Sequence, residues 1–345
     1  MAVAVAADGT ERFAPLLALI GDVYAANLAG ERAGLVLAAL ASGLLARCTG
    51  PVSRSSLATA TAAPTEVVVA LLDALVVLDV LERLDDDRLV LAEGWRPAGE
   101  PDGRRLLRDA LVMGEARTRL LRHALDGRGW TNDEQDLLAI ARGVTWDPAT
   151  DLAVHQRRRA VEHVPELAAA LVGGGRYLEL GCGVGGALVA LVRAFPGVTA
   201  VGVELAPELA ALATSSAAGL GLADRVRVVV GDAVGFRDPD GFDACFWSQF
   251  FFPASSRAGA LAAARGALRA GGVLVAPAPD VRLPAEAPYD DEARDNAGER
   301  VLWASWGVPA RTPDELVAEA SAAGFVDVHL APGAFVQTLV ARAPG

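Results

Sequence analysis

Apolar residues in the first hundred positions recur at helical spacing, and Phe13–Leu28 and Arg32–Leu45 read as two helices separated by Gly30. Ser53-Arg54-Ser55-Ser56-Leu57-Ala58 predicts a short capped helix, and Pro64-Thr65-Glu66 opens a second that runs through the apolar stretch Val67–Leu78. Leu81–Leu91 then predicts two short strands around the turn Asp85-Asp86-Asp87. Pro and Gly cluster in Trp95–Arg105, a junction, and three further helices follow at Arg105–Leu125, Asn132–Arg142 and Asp151–Leu171. From Arg176 the pattern alternates. Strands are predicted at Tyr177–Leu180, Thr199–Glu204, Val226–Val230, Ala244–Ser248 and Val273–Ala276. Helices are predicted between them at Ala187–Phe195, Pro207–Leu220 and Ser255–Arg269. Val326–Leu330 and Phe335–Ala341, joined by a tight turn at Ala331-Pro332-Gly333-Ala334, predict an antiparallel hairpin.

This order specifies an α/β fold. A Rossmann-like doubly wound sheet ends in an antiparallel hairpin and is preceded by a mainly helical domain, whose helix–helix–hairpin order is that of a winged helix. The expected division is 1–103 for the winged-helix domain, 104–172 for a helical linker and 173–345 for the sheet domain.

Composition narrows the chemistry. The chain has 345 residues, a net charge of −12 and no lysine, all 31 basic residues being Arg. Schiff-base chemistry and a phosphate loop of the GxxxxGK[ST] type are therefore excluded. The net charge argues against nucleic acid, and the winged-helix window Pro51–Trp95 holds three Arg against eight acids. Apolar runs are too broken to span a membrane, and the first residues lack the basic-then-apolar pattern of a signal peptide. With widely spaced Cys48, Cys182 and Cys245, a soluble cytoplasmic protein with reduced thiols is expected. The four His form no metal-ligand spacing, so no metal is expected.

The most informative stretch is Tyr177–Gly186, where a strand carrying Glu179 breaks into Gly181, Gly183, Gly185 and Gly186 and becomes a helix. Such a turn brings the backbone close to a ligand and offers unpaired N–H groups at the helix start. Gly181-x-Gly183-x-x-Gly186 alone also satisfies the dinucleotide fingerprint.

Its surroundings resemble the class I S-adenosylmethionine-dependent methyltransferases, from about Asp151 to the C-terminus. Glu179-x-Gly181-x-Gly183-x-Gly185 matches the family's first motif, Glu204 ends the second strand, and Asp232 follows the third in Val230-Gly231-Asp232-Ala233. Phe242–Trp247 matches the fourth strand, and Ala267-Leu268-Arg269-Ala270-Gly271-Gly272-Val273-Leu274 the entry to the fifth, with Ala270 in place of Pro. The resemblance implies S-adenosylmethionine as cofactor, with Glu204 on the ribose hydroxyls and Asp232 near the adenine amino group. It implies a cofactor site of Glu179, Gly181, Cys182, Gly183, Gly185, Glu204, Leu205, Asp232, Ala233, Trp247 and Ser248.

A winged helix joined to this fold resembles the small-molecule O-methyltransferases. That resemblance implies a homodimer through the N-terminal domain and a small-molecule, secondary-metabolite acceptor. Those enzymes carry a His-Asp pair after the fourth strand, where this chain has Trp247-Ser248-Gln249-Phe250-Phe251-Phe252-Pro253 and no His. The base therefore comes from elsewhere, proximity alone suffices, or the acceptor atom is N or C, with C-methylation the runner-up to O-methylation. Gln249, His155 and His163 are the catalytic candidates. Phe250, Phe251, Asp280, Trp303 and Trp306 are the expected substrate pocket. An NAD(P)-dependent oxidoreductase and a non-catalytic S-adenosylmethionine-binding regulator are the competing functions.

Overall fold

The computed structural model describes residues 14–84, 86–126, 133–279 and 291–345. Asp280 and Asp85 therefore lie outside the described residues. The chain divides into two compact units, 1–112 and 113–345.

The first unit opens with α1 (Ala14–Ala41), one continuous 28-residue helix rather than the two expected. A single interior Gly costs about 1 kcal/mol against Ala, which a helix this long absorbs at Gly30. Then come α2 (Leu44–Arg47), β1 (Val52–Ser53), α3 (Arg54–Ala58), α4 (Thr65–Val77), β2 (Leu81–Arg83) and β3 (Arg88–Leu91). Ser53 caps α3 by accepting from the Ser56 N–H at 3.2 Å. Val68, Leu72 and Leu75 form the buried stripe of α4 and pack with Leu44, Leu45, Leu57 and Leu89. The sheet has three strands in the order β1-β3-β2, so the expected hairpin gains Val52–Ser53 on its free side. The helix–helix–hairpin order expected for this unit is present, with β1 added to the hairpin.

Helix α5 (Pro101–Arg122) leads into the second unit, followed by α6 (Glu134–Val144), α7 (Asp151–Glu162) and α8 (Pro165–Leu171). The single helix expected over Asp151–Leu171 is split because Pro165 offers no N–H and forces Val164 to the extended φ −113°, ψ 100°.

The sheet comprises β4 (Gly175–Leu180), β5 (Val198–Glu204), β6 (Val226–Val230), β7 (Phe242–Trp247), β8 (Leu268–Pro277), β9 (Val326–Ala331) and β10 (Thr338–Arg342). Helices α9 (Gly186–Ala194), α10 (Pro207–Gly219), α11 (Ala254–Ala267), α12 (Asp291–Ser305) and α13 (Pro313–Ala322) complete the unit. The seven strands run β6-β5-β4-β7-β8-β10-β9, parallel through β8 and antiparallel at β10 and β9. The connection between the last two strands is longer than the expected Pro-Gly turn. Thr338 pairs with Ala331, so residues 332–337 form the loop, and Phe335 and Val336 are exposed rather than in strand.

From β4 the chain winds first towards β5 and β6, then returns to place β7 on the other side of β4. This is the switch point at which doubly wound sheets open a ligand crevice beyond the strands' carboxyl ends. No helix among the described residues is long and apolar enough to cross a membrane.

Candidate active site

The glycine turn sits at that switch point. Gly181, Gly183 and Gly185 all have positive φ, at 76°, 55° and 74°. Gly185 also packs α9 against α10, since a Cβ there would lie 2.8 Å from the Ala213 Cβ. Beneath the turn, a side chain at Gly202 on β5 would run into Cys182 Sγ at 2.6 Å. These contacts hold the loop against the sheet and leave its outer side to a cavity of about 600 Å³.

Glu179, Gly181, Cys182, Gly183, Glu204, Leu205, Asp232, Ala233 and Ser248 line this cavity. Glu204 is fixed by backbone donors: Oε2 accepts from the Gly183 N–H at 2.8 Å and Oε1 from the Ala206 N–H at 2.9 Å. A carboxylate has about four acceptor sites, so both oxygens can still take hydroxyl donors. Asp232 caps the short turn at Ala233–Gly235, accepting from the Val234 N–H at 2.9 Å.

Glu179 is 2% exposed and its Oε2 has no hydrogen-bond partner among the described residues. Burial pushes its carboxyl up to about 7, opposed by the Arg157 charge and assisted by that of Glu204. An orphaned buried acid facing a cavity calls for a cationic ligand group. Arg157, on the same cavity wall, offers the opposite charge for an anionic one. With the Glu204 carboxylate beside them, these groups fit the zwitterionic amino-acid end and ribose of S-adenosylmethionine. Burial pushes the Cys182 thiol well up, so it fills space beside the ligand rather than acting as a nucleophile.

Several sequence-based expectations need correction. Gly185 faces α10 instead of the cavity. Trp247 is 1% exposed and packs away from the cavity, T-shaped against Phe252 at 5.9 Å and beneath the Arg257 guanidinium at 4.6 Å. Strand alternation explains this, since its neighbours Phe246 and Ser248 are the ones that line the cavity. Gln249 is also turned inward. Its Oε1 accepts from Arg257 Nη1 at 3.1 Å, and its Nε2 donates to the Pro277 carbonyl at 3.3 Å. Arg257 is itself buried and bonds both oxygens of Glu319 at 2.8 and 2.7 Å, so Gln249 belongs to the scaffold that holds the segment after β7. His155 and His163 are exposed on or just after α7 and do not line the cavity. The helix does border it, but through Arg157, which lies about 200° around the axis from His155.

The remaining walls are aromatic. Phe250 stacks on Trp303 with centroids 4.5 Å apart and planes at 10°, and Phe251 stacks on Trp306 at 6.1 Å and 23°. All four line the cavity, with Met113, Leu302 and an ion pair between Arg117 and Glu299. Helix α6 closes another side through Leu137, Ile140, Ala141 and Val144, with Thr145 just after its end. Arg117, Arg157, Glu299 and the α6 residues belong to no sequence motif. The only signal for Arg117, Arg157 and the α6 residues was membership of the helical segment 104–172 expected to border the site, and Glu299 had none.

A family model described as a methyltransferase domain matches residues 178–272, which include the glycine turn and strands β5 to β7. No curated protein matches the sequence. Among solved structures, the mitomycin 7-O-methyltransferase MmcR is 20% identical, with 97% of this chain and 100% of that one covered and a TM-score of 0.68. Human N-acetylserotonin methyltransferase, solved in complex with SAM, is 17% identical, covers 100% of both chains and has a TM-score of 0.67. CalO1, a methyltransferase of calicheamicin biosynthesis solved with SAH, is 18% identical, covering 95% and 99%, with a TM-score of 0.62. A glycine turn with acids at successive strand ends, under a methyltransferase-domain model over residues 178–272, marks a methyltransferase domain in the second unit, and the fold is the one these solved structures share.

Proposed function

We propose that the enzyme methylates a hydroxyl on a small, flat aromatic acceptor. The observation that carries this reading is the division of one cavity into two chemistries. The glycine turn, Glu179, Arg157, Glu204 and Asp232 suit the methyl donor. The two Phe–Trp stacks suit a planar apolar acceptor. Bound S-adenosylmethionine supplies an electrophilic methyl group. The protein's part is then to place the acceptor oxygen in line with it and exclude water. In this reading Glu179 takes the ammonium of the methionine part, Arg157 its carboxylate, and Glu204 the ribose hydroxyls. Within the linker expected over 104–172, the part from Met113 onward acts as a helical wall of the site. The comparison with small-molecule O-methyltransferases supports the same assignment. Calorimetric titration with S-adenosylmethionine, S-adenosylhomocysteine and NADH tests it, and binding of NADH alone would refute it.

We further propose that the protein is a homodimer through its N-terminal unit. Leu16, Leu19, Ile20, Val23, Tyr24 and Leu28 are exposed along the first turns of α1, an apolar face at helical spacing. Light scattering should give a dimer mass, and the double variant Leu19→Glu/Val23→Glu should give a monomer.

A further inference from the structure

The cavity contains more ionisable groups than the donor needs. Arg157, Glu179, Glu204 and Asp232 surround the turn and the strand ends. Arg117 on α5 and Glu299 on α12 remain. Arg117 Nη1 donates to Glu299 Oε1 at 2.5 Å, joining residues 182 positions apart. Their side chains are 29% and 33% exposed, and both open into the cavity. Glu299 lies one helical turn before Trp303, so carboxylate and aromatic wall share a face of α12.

Methylating a hydroxyl releases a proton, and the segment after β7 has no His to take it. Gln249 is committed to Arg257 and the Pro277 carbonyl. Resting on the methyltransferase reading above, we propose that Glu299 is the catalytic proton acceptor for the acceptor hydroxyl. Arg117 is its positioning residue, engaging Oε1 and leaving Oε2 for the acceptor. In the balanced step the acceptor O–H bond breaks, an O–CH3 bond forms, and the donor's C–S bond breaks with its electron pair on sulfur. The proton passes to Glu299 and on to water.

The probe is 7-hydroxycoumarin, a flat phenol whose neutral and ionised forms absorb differently. Bound to enzyme saturated with S-adenosylhomocysteine, it should ionise about one pH unit lower in Glu299→Gln, where a neighbouring negative charge is gone, and higher in Arg117→Met. With S-adenosylmethionine, Glu299→Gln should lower methyl transfer to 1-naphthol, a weaker acid than 7-hydroxycoumarin, about 100-fold at pH 7. The loss should shrink tenfold per pH unit as the phenol ionises by itself, and Glu299→Asp should restore part of the rate. S-adenosylmethionine affinity should be unchanged in all variants, which separates this proposal from the cofactor reading. An unshifted dye, a Glu299→Gln enzyme at full rate, or failure of the wild type to bind or methylate either phenol while binding the donor would each overturn it.

Discussion

The two halves of the cavity are built differently. On the donor side every acid comes from a strand end or the turn that follows it, with Arg157 of α7 added from a helix, and the backbone itself is the template. Gly181, Gly183 and Gly185 need positive φ, and Glu204 is clamped by two backbone N–H groups. On the acceptor side the partners are distant in sequence: Phe250 with Trp303, Phe251 with Trp306, Arg117 with Glu299. The donor side is thus tied to residue identity by geometry, while the acceptor side depends on how helices α5 and α12 meet the segment after β7. One half can stay constant while the other is rebuilt for a different acceptor.

The largest effect is expected where the acceptor side is anchored. Arg257 holds Gln249 and Glu319 and lies over Trp247, and it is 1% exposed. Arg257→Met removes one partner of a buried ion pair and should cost about 3–5 kcal/mol in denaturant unfolding. Acceptor turnover should fall further than S-adenosylmethionine affinity, because the segment it holds carries Phe250 and Phe251. An equal loss of both would break the division between the halves.

Next in size is the donor side. Glu204→Ala removes charge-assisted hydrogen bonds worth about 1.5–3 kcal/mol each, so S-adenosylmethionine affinity should fall about 100-fold or more by calorimetry. Retained affinity would remove the ribose assignment.

A smaller, graded effect follows from Glu179. Its carboxyl is raised by burial to about 7, so the free protein holds it neutral below that pH, whereas an ammonium ligand favours the carboxylate. S-adenosylmethionine affinity should therefore drop about tenfold per pH unit below 7 and level off above it, with proton release visible as buffer-dependent heat. The sign is opposite for the free protein's stability. A carboxyl whose folded value exceeds its unfolded one binds more protons when folded, so stability falls by about 3 kcal/mol as pH rises from about 4.5 through 7. Glu179→Gln should flatten both dependences.

The same contrast explains what could be read from the sequence. The alternating strands, the glycine turn and the acids Glu179, Glu204 and Asp232 were legible because backbone conformation and strand-end placement restrict which residues fit. The acceptor side was legible only in part. Phe250, Phe251, Trp303 and Trp306 stood out as aromatics, but nothing in their spacing pairs them. Gln249 was misread because its bonds go to Arg257 and Pro277, which no local pattern connects to it. Arg117 and Glu299 were invisible because two charges 182 residues apart carry no joint signal.

The smallest expected effect sharpens this most cheaply. His155 and His163 lie just ahead of the sheet in sequence, and both are exposed, with His163 Nδ1 2.8 Å from the Arg159 carbonyl of α7. If proton transfer belongs to Glu299, then His155→Ala and His163→Ala should change stability by less than about 0.5 kcal/mol, as surface substitutions do. The acidic limb of the rate–pH profile should keep its midpoint in both variants. A shifted midpoint in either would move the base from α12 to α7, and the acceptor would then have to approach from the side of the cavity walled by Arg157.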